Sequence, residues 1–140
     1  MAMLVICSSP GARSQAGRSR EDDVRALIQR FADLRNQHDG AAVAGLYSAE
    51  GEWIGAAGSV KGRRDLTVLW SGVTGSVTRT VTSIEFPSPL IAVVRVATEY
   101  PPPTGRHEEL FVLVREADRH EGRNVLAPSD PWQIRLHETL

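Results

Sequence analysis

The sequence predicts an α+β domain in which N-terminal helices pack on one face of a mostly antiparallel sheet. Three observations carry this. Apolar residues in the first half recur at helical spacing, as in Val24, Leu27, Ile28, Phe31 and Leu34. From Ser76 onward the period becomes that of strands rich in Val and Thr. Pro87-Ser88-Pro89 and Pro101-Pro102-Pro103-Thr104-Gly105 then cut that stretch into separate strands, because proline cannot continue a central ladder. Helices first and long strands after them place the helices on one face of an antiparallel sheet.

Residues 1–18 read as a disordered N-terminal arm. Ser8 to Arg18 is rich in Ser, Gly, Ala and Arg and has nothing periodic to bury. The apolar run Met3 to Cys7 is too short for a signal-peptide core and no basic residue precedes it, although Leu4 to Ile6 could supply a strand. The folded domain is expected over 19–140. Ser19 followed by Asp22 has capping-box spacing, and Glu21, Asp22 and Asp23 suit the helix dipole of a helix ending near Gln37. Asp39 caps a second helix, Gly40 to Tyr47, with Val43, Leu46 and Tyr47 at helical spacing. Ser48 to Gly51 breaks it, and Glu52-Trp53-Ile54 reads as a strand. Gly55 and Gly58 interrupt before Lys61-Gly62-Arg63-Arg64 opens a third helix. That helix buries Leu66, Leu69, Trp70 and Val73, and Gly72 and Gly75 suit its end. Strands follow at Val77 to Phe86, Leu90 to Tyr100, His107 to Glu116 and Trp132 to Glu138. Ala117 to Pro131 is expected to be a solvated loop, with a flap or dimer trim as alternatives, because long loops close at little extra entropy.

Charge and composition exclude several function classes. Sixteen basic against seventeen acidic side chains give a net charge of −1, so nucleic-acid binding has no electrostatic support. A single cysteine, Cys7, rules out an internal disulfide. No run is long enough to span a bilayer, so no membrane partner and a cytoplasmic location are expected. His38, His107, His120 and His137 lack metal-ligand spacing, so no metal is expected. Gly55-Ala56-Ala57-Gly58 follows a strand but lacks a phosphate or dinucleotide pattern, so no cofactor is expected either.

His38-Asp39, Leu46-Tyr47, Glu52-Trp53, Lys61-Gly62-Arg63, Ile91-Ala92-Val93-Val94 and Trp132-Gln133-Ile134 with His137 occur in an order that resembles the SnoaL-like branch of the nuclear transport factor 2-like superfamily. This is also called the ketosteroid-isomerase-like or cystatin-like cone fold, and the resemblance runs from Arg20 to the C-terminus. It implies that the N-terminal helices pack on a strongly curved, mostly antiparallel sheet, a cone-shaped α+β barrel with a mainly apolar pocket. Relatives join the last two strands by a short turn, and the 117–131 segment departs from that. In ketosteroid isomerase an aspartate shortly after the first strand is the general base. The matching position here is about Gly55, so that mechanism does not carry over. Glu52 projects to the other face of the strand from Gly55 by alternation, and is read as a solvated carboxylate or, alternatively, a base.

The resemblance to SnoaL-like cyclases, which use an acidic residue on the penultimate strand, carries the catalytic role to Glu109, with His107 or Glu108 as alternatives in the register. Alternation places His107, Glu109, Phe111 and Leu113 on one face. A carboxylate beside a histidine in an apolar cone is expected to shift toward neutral pH, whereas an exposed strand start would leave both solvated. Arg95, within an apolar strand, needs a carboxylate if buried, and Arg79 and Glu99 on adjacent strands are possible partners. His137 falls on the opposite face from Trp132, Ile134 and Leu136 and receives no role. Phe31, Tyr47, Trp53 and Trp70, with Trp132, are candidates to line the pocket, most of them as core. The resulting expectation is a small-molecule-binding protein, a cyclase or isomerase acting by acid–base chemistry on an apolar, carbonyl-bearing, polyketide-like metabolite. The alternative is a non-catalytic dimerisation or ligand-binding module. Apolar residues on both faces of Leu90 to Thr98 suit a homodimer through the sheet face.

Overall fold

Helix α1 (Arg20–Asn36) opens on Ser19, whose Oγ accepts from the Asp22 N–H at 3.2 Å. The structure, a computed structural model, describes residues 19–102, 105–120, 123–128 and 131–140, with the backbone alone over the strands between 117 and 128. The expected arm over 1–18, with Cys7 and the optional Leu4 to Ile6 strand, lies outside the described residues. Helix α1 ends in a Schellman turn: His38 N–H donates to Arg35 C=O at 2.9 Å and Asp39 N–H to Leu34 C=O at 3.1 Å. The turn needs a left-handed residue, and here His38 takes it at φ 58 in place of the usual glycine. Asn36 then fastens the helix end to the sheet by exchanging two 2.9 Å hydrogen bonds with the Val77 backbone. Val24, Ile28 and Phe31 are fully buried along one stripe of α1, and Arg35 is the next residue on it.

Helix α2 (Gly40–Gly45) is capped by Asp39, whose Oδ1 accepts from Ala42 N–H at 3.1 Å. It is shorter than its apolar spacing predicts, because Tyr47 belongs to strand β1 (Tyr47–Gly55). Long-range partners take the carbonyls that a longer helix would have used: Ile134 N–H reaches Leu46 C=O at 2.9 Å, and the Arg63 guanidinium reaches Tyr47 C=O at 3.0 and 3.2 Å. The glycines expected merely to interrupt instead close a hairpin from β1 to β2 (Gly58–Lys61), with Gly55 opposite Gly58. Helix α3 (Arg63–Ser71) follows, burying Leu66 and Trp70. The remaining strands of the main sheet are β3 (Thr78–Ser88), β4 (Ile91–Glu99), β5 (Arg106–Val114) and β8 (Gln133–Thr139).

The six strands lie in the order β2-β1-β8-β5-β4-β3, all antiparallel except the parallel β1–β8 pair. The helices cover the concave face of this curved sheet, as expected. Ala92, Val94, Val96, Phe111, Leu113 and Ile134 meet Val24, Ile28, Phe31, Tyr47 and Leu66 there in one buried core. The segment after β5 is not the plain loop expected. Its backbone forms an antiparallel pair, β6 (Ala117–His120) with β7 (Arg123–Pro128), separate from the main sheet. Pro128 sits at the end of that short ladder, opposite Ala117, where a missing donor does least harm.

Irregular pairing decides which side chains enter the cone. On β8, Ile134 pairs with Leu113 and Leu136 with Val112, so Arg135 is bulged out between them. The bulge moves His137 onto the same buried face as Ile134, correcting the simple alternation that placed them on opposite faces. No helix among the described residues is long and apolar enough to cross a membrane.

Two glycines of α2 separate packing from propensity. A Cβ at Gly40 would run into the Ser71 backbone and lie 2.8 Å from its Cα, whereas one at exposed Gly45 meets nothing within 4 Å. Gly40→Ala should therefore lower the melting temperature by several degrees. Gly45→Ala should raise stability by about 0.4–1 kcal/mol through the unfolded chain. Thermal and urea denaturation of the two variants check both signs.

Candidate functional site

At the centre of the cone is Glu109, only 2% exposed, with three polar neighbours drawn from three other strands. Arg79 on β3 donates Nε to Oε2 at 2.9 Å, with Nη2 3.5 Å from Oε1. Thr98 on β4 donates its hydroxyl to Oε2 at 2.6 Å. His137 on β8 places Nε2 3.3 Å from Oε1, near enough for an ion pair but not aligned as a full hydrogen bond. Its other ring nitrogen, Nδ1, lies 2.9 Å from the Tyr47 hydroxyl on β1. The register explains the meeting of Arg79 with Glu109. Arg79 pairs with Thr98, and Glu109 faces Val96 two residues along, so the guanidinium crosses β4 diagonally over Thr98.

The proton assignment follows from burial. Burial pushes the Tyr47 phenol far above its usual range, opposed by the Trp70 indole N–H and by Arg79, so Tyr47 keeps its proton and donates to Nδ1. Nε2 of a neutral His137 then carries the hydrogen that faces Glu109. Burial lowers His137, and Arg79 reinforces this against the pull of Glu109, so the neutral form is favoured. Burial also works to raise the Glu109 carboxyl. The His137 N–H and the Arg79 guanidinium outweigh it and hold the carboxyl well below the usual carboxylate range. This is the reverse of the shift toward neutrality expected for a carboxylate inside the cone, and the His137 N–H together with the Arg79 charge is the physical reason.

Aromatic rings clamp the relay. His137 stacks on Phe111, with centroids 4.0 Å apart, and lies parallel to Trp70 at 5.8 Å. Phe31 meets His137, Trp70 and Phe111 edge-on and lies under the Arg79 guanidinium at 4.3 Å.

A cavity of about 220 Å³ opens above Glu109. Its apolar wall is Trp53, Leu69, Trp70, Val73 and Tyr100, and Arg35 and Thr139 complete it. Of the sequence candidates, Glu109, Trp53 and Trp70 reach the cavity. Phe31 and Tyr47 do not line it, because both are wholly buried beneath it, and Trp132 packs elsewhere against Phe86 and Arg115. His107 shares the inward face of β5 but sits beyond the rim, exposed and edge-on to Tyr100. The histidine at Glu109 is therefore His137. Glu108 is exposed and Glu52 only half-buried. At Gly55 a side chain would collide with the Trp53 ring, so the vacant base position is filled by an indole. Arg95 is exposed and needs no partner, and Arg79 pairs with Glu109 rather than Glu99. Among the described residues, no cluster of three or more His, Cys, Asp or Glu could hold a metal. Arg35 was not singled out from the sequence, yet its place on the Val24, Ile28, Phe31 stripe signalled burial.

No family model matches this sequence, and no curated protein matches it. Solved structures do. A ketosteroid isomerase-like protein from Erwinia carotovora atroseptica matches with a TM-score of 0.69 and 21% identity, over 87% of this chain and 95% of its own. A cystatin-like domain of unknown function from Nostoc punctiforme gives 0.68 and 19%, over 85% and 75%. A candidate scytalone dehydratase from Novosphingobium aromaticivorans gives 0.59 and 12%, over 90% and 86%. The chain therefore has the cystatin-like, nuclear transport factor 2-like cone fold that the order of its elements predicts.

Removing one member of the buried pair should be far worse than removing both. Glu109→Gln leaves the Arg79 charge unanswered and should cost about 3–5 kcal/mol, while Arg79→Met with Glu109→Leu should recover most of that. Urea denaturation of the single and double variants reads the difference. Stability should also depend on pH in two windows. The unfolded chain protonates His137 near pH 6.5 while the folded chain resists, so stability falls as pH drops through about 6.5. Glu109, depressed in the fold, contributes stability above about pH 4.3 that is lost on further acidification. His137→Phe should flatten the first window and narrow the second without abolishing it, because Arg79 still holds Glu109 down, as urea midpoints between pH 7.5 and 3 would register.

Proposed function

We propose that this protein binds a small, mainly apolar molecule in the cone, with Glu109 as the polar anchor at the floor of the site. The observation that carries this reading is a buried, fully ionised carboxylate in the wall of a cavity otherwise lined by Trp53, Leu69, Trp70, Val73 and Tyr100. Apolar walls with a few fixed polar groups are the usual composition of a small-molecule site. The volume of about 220 Å³ lies below the 300–1,000 Å³ typical of drug-sized ligands, so the ligand is of one or two rings. A carboxylate held by Arg79, Thr98 and His137 cannot swing, and so accepts a hydrogen bond from a ligand hydroxyl at a defined point.

Proton transfer of the isomerase or cyclase kind is the finer part of this proposal. Two of the similar structures carry names of that kind, a ketosteroid isomerase-like protein and a candidate dehydratase. In this chain Glu109 would take a proton from carbon next to a ligand carbonyl, leaving an enolate on the ligand, and return it at another carbon, while His137, braced by Tyr47, keeps the carboxyl in place. The Arg79 pair weakens Glu109 as a base, so the step requires a ligand acidified by conjugation. Binding is the primary function and turnover depends on it. A homodimer through the outer sheet face remains our expectation for the assembly.

Leu69→Trp should fill the cavity without touching the Glu109 network. In a thermal-shift screen of monocyclic ketones, phenols and aromatic acids, at least one compound should raise the wild-type melting temperature by several degrees at saturating concentration. The same compound should leave Leu69→Trp unmoved. Equal shifts in both proteins, or none in the wild type, would overturn the reading.

A further inference from the structure

The fixed charges around the cavity do not balance. Arg79 is answered by Glu109 at 2.9 Å, and His137 is neutral. Arg35 is a second guanidinium, only 5% exposed and part of the cavity wall, and no carboxylate among the described residues pairs with it. Its hydrogen bond, from Nη1 to Gly75 C=O, is 3.5 Å long, at the outer limit for such a contact. The face of its guanidinium lies 5.8 Å from the Tyr100 ring centroid, which offers a weak attraction and no acceptor. A guanidinium keeps its charge in a protein and has five donors to satisfy. Buried charges are ordinarily paired. The one carboxylate whose field reaches Arg35 is Glu109, already committed to Arg79, whose own charge acts on Arg35 in the opposite sense.

We propose that the ligand of this cavity is a monoanion, a carboxylate on a one-ring apolar body, with its carboxylate on Arg35 and its ring against Trp53, Leu69 and Trp70. This deepens the small-molecule reading of the same site and rests on it. Two guanidinium groups and one carboxylate leave one positive charge, which a monocarboxylate cancels. The planar fork of arginine matches a carboxylate through two parallel hydrogen bonds. A neutral ligand leaves the charge uncompensated, a cation adds to it, and a dianion brings excess negative charge toward Glu109. The anion and Glu109 are kept apart by having separate partners, Arg35 for one and Arg79 with Thr98 for the other.

Benzoate, its neutral isostere benzamide and the ketone acetophenone form a matched set of probes for the full chain. Titration calorimetry gives each affinity. Quenching of Trp53 and Trp70, which line the cavity, reports whether binding is at this site. Benzoate should bind at least tenfold tighter than benzamide to the wild type, and Arg35→Gln should abolish that preference. Arg35→Lys should retain part of it, since it keeps the charge but loses the fork. Benzamide binding as well as benzoate, or a preference unchanged in Arg35→Gln, would overturn the proposal. If Arg35→Gln does not fold, the acid-to-amide ratio in the wild type decides it alone. Acetophenone binding without benzoate would refute the anion and leave the small-molecule reading standing. Binding by none of the three would count against both.

Discussion

The Glu109 carboxylate is the constraint on which the interior is built. A charge in the middle of a cone of apolar residues is tolerated only with a counter-charge and enough donors to replace water. Arg79 supplies the charge, and Thr98 and His137 supply the donors. Each comes from a different strand, so the pair is stable only when β3, β4, β5 and β8 are in register. The network thus selects one arrangement of the sheet in a way that apolar packing alone, tolerant of slips and swaps, does not.

The same carboxylate decides how the rest of the interior is filled. His137 must present Nε2 to Glu109, which leaves Nδ1 needing a donor, and Tyr47 provides it. For Tyr47 to do so it must leave the preceding helix and begin β1, and Arg63 and Ile134 claim the nearby carbonyls that hold it there. Gly51 belongs to the same arrangement. A Cβ at that position would lie 2.7 Å from the Tyr47 Cβ and 2.8 Å from the Ile134 carbonyl, so the irregular pairing of β1 with β8 requires the smallest residue.

How much of this was legible depends on whether a feature is local. Ser19 and Asp39 as caps, the stripe of α1, the strand sequence and the inward face of β5 follow from periodicity and short-range hydrogen bonding, and the structure has them. Glu109 was singled out by the resemblance to SnoaL-like cyclases, and alternation with Phe111 and Leu113 put it on the inward face. His137 could not be placed, because the bulge at Arg135 reverses the parity of β8 and depends on pairing with a strand about twenty residues away. The Gly55–Gly58 hairpin was obscured because two glycines flanking Ala-Ala read equally well as a loop. Arg79 was noticed but given the wrong partner, since its true one lies diagonally across an intervening strand. Arg35 was legible in principle. Val24, Ile28, Phe31 and Arg35 are spaced 4, 3 and 4 apart, and a charge continuing a buried stripe is a sign of function or pairing.

The two arginines of the interior have different consequences for chemistry. Arg79 is saturated by Glu109 and makes that carboxylate a good hydrogen-bond acceptor and a poor base, because the charge that stabilises it also weakens its hold on a proton. Arg35, with one long bond to a backbone carbonyl, is free to act on whatever enters the cavity. A ligand that meets Arg35 brings negative charge close to Glu109 and so raises the proton affinity of that carboxyl. Under the proposed function, binding and reactivity would thereby be coupled: the empty cone would hold a weak base, and an anionic occupant would strengthen it. A site of this design would do acid–base chemistry only on a molecule that Arg35 had first accepted.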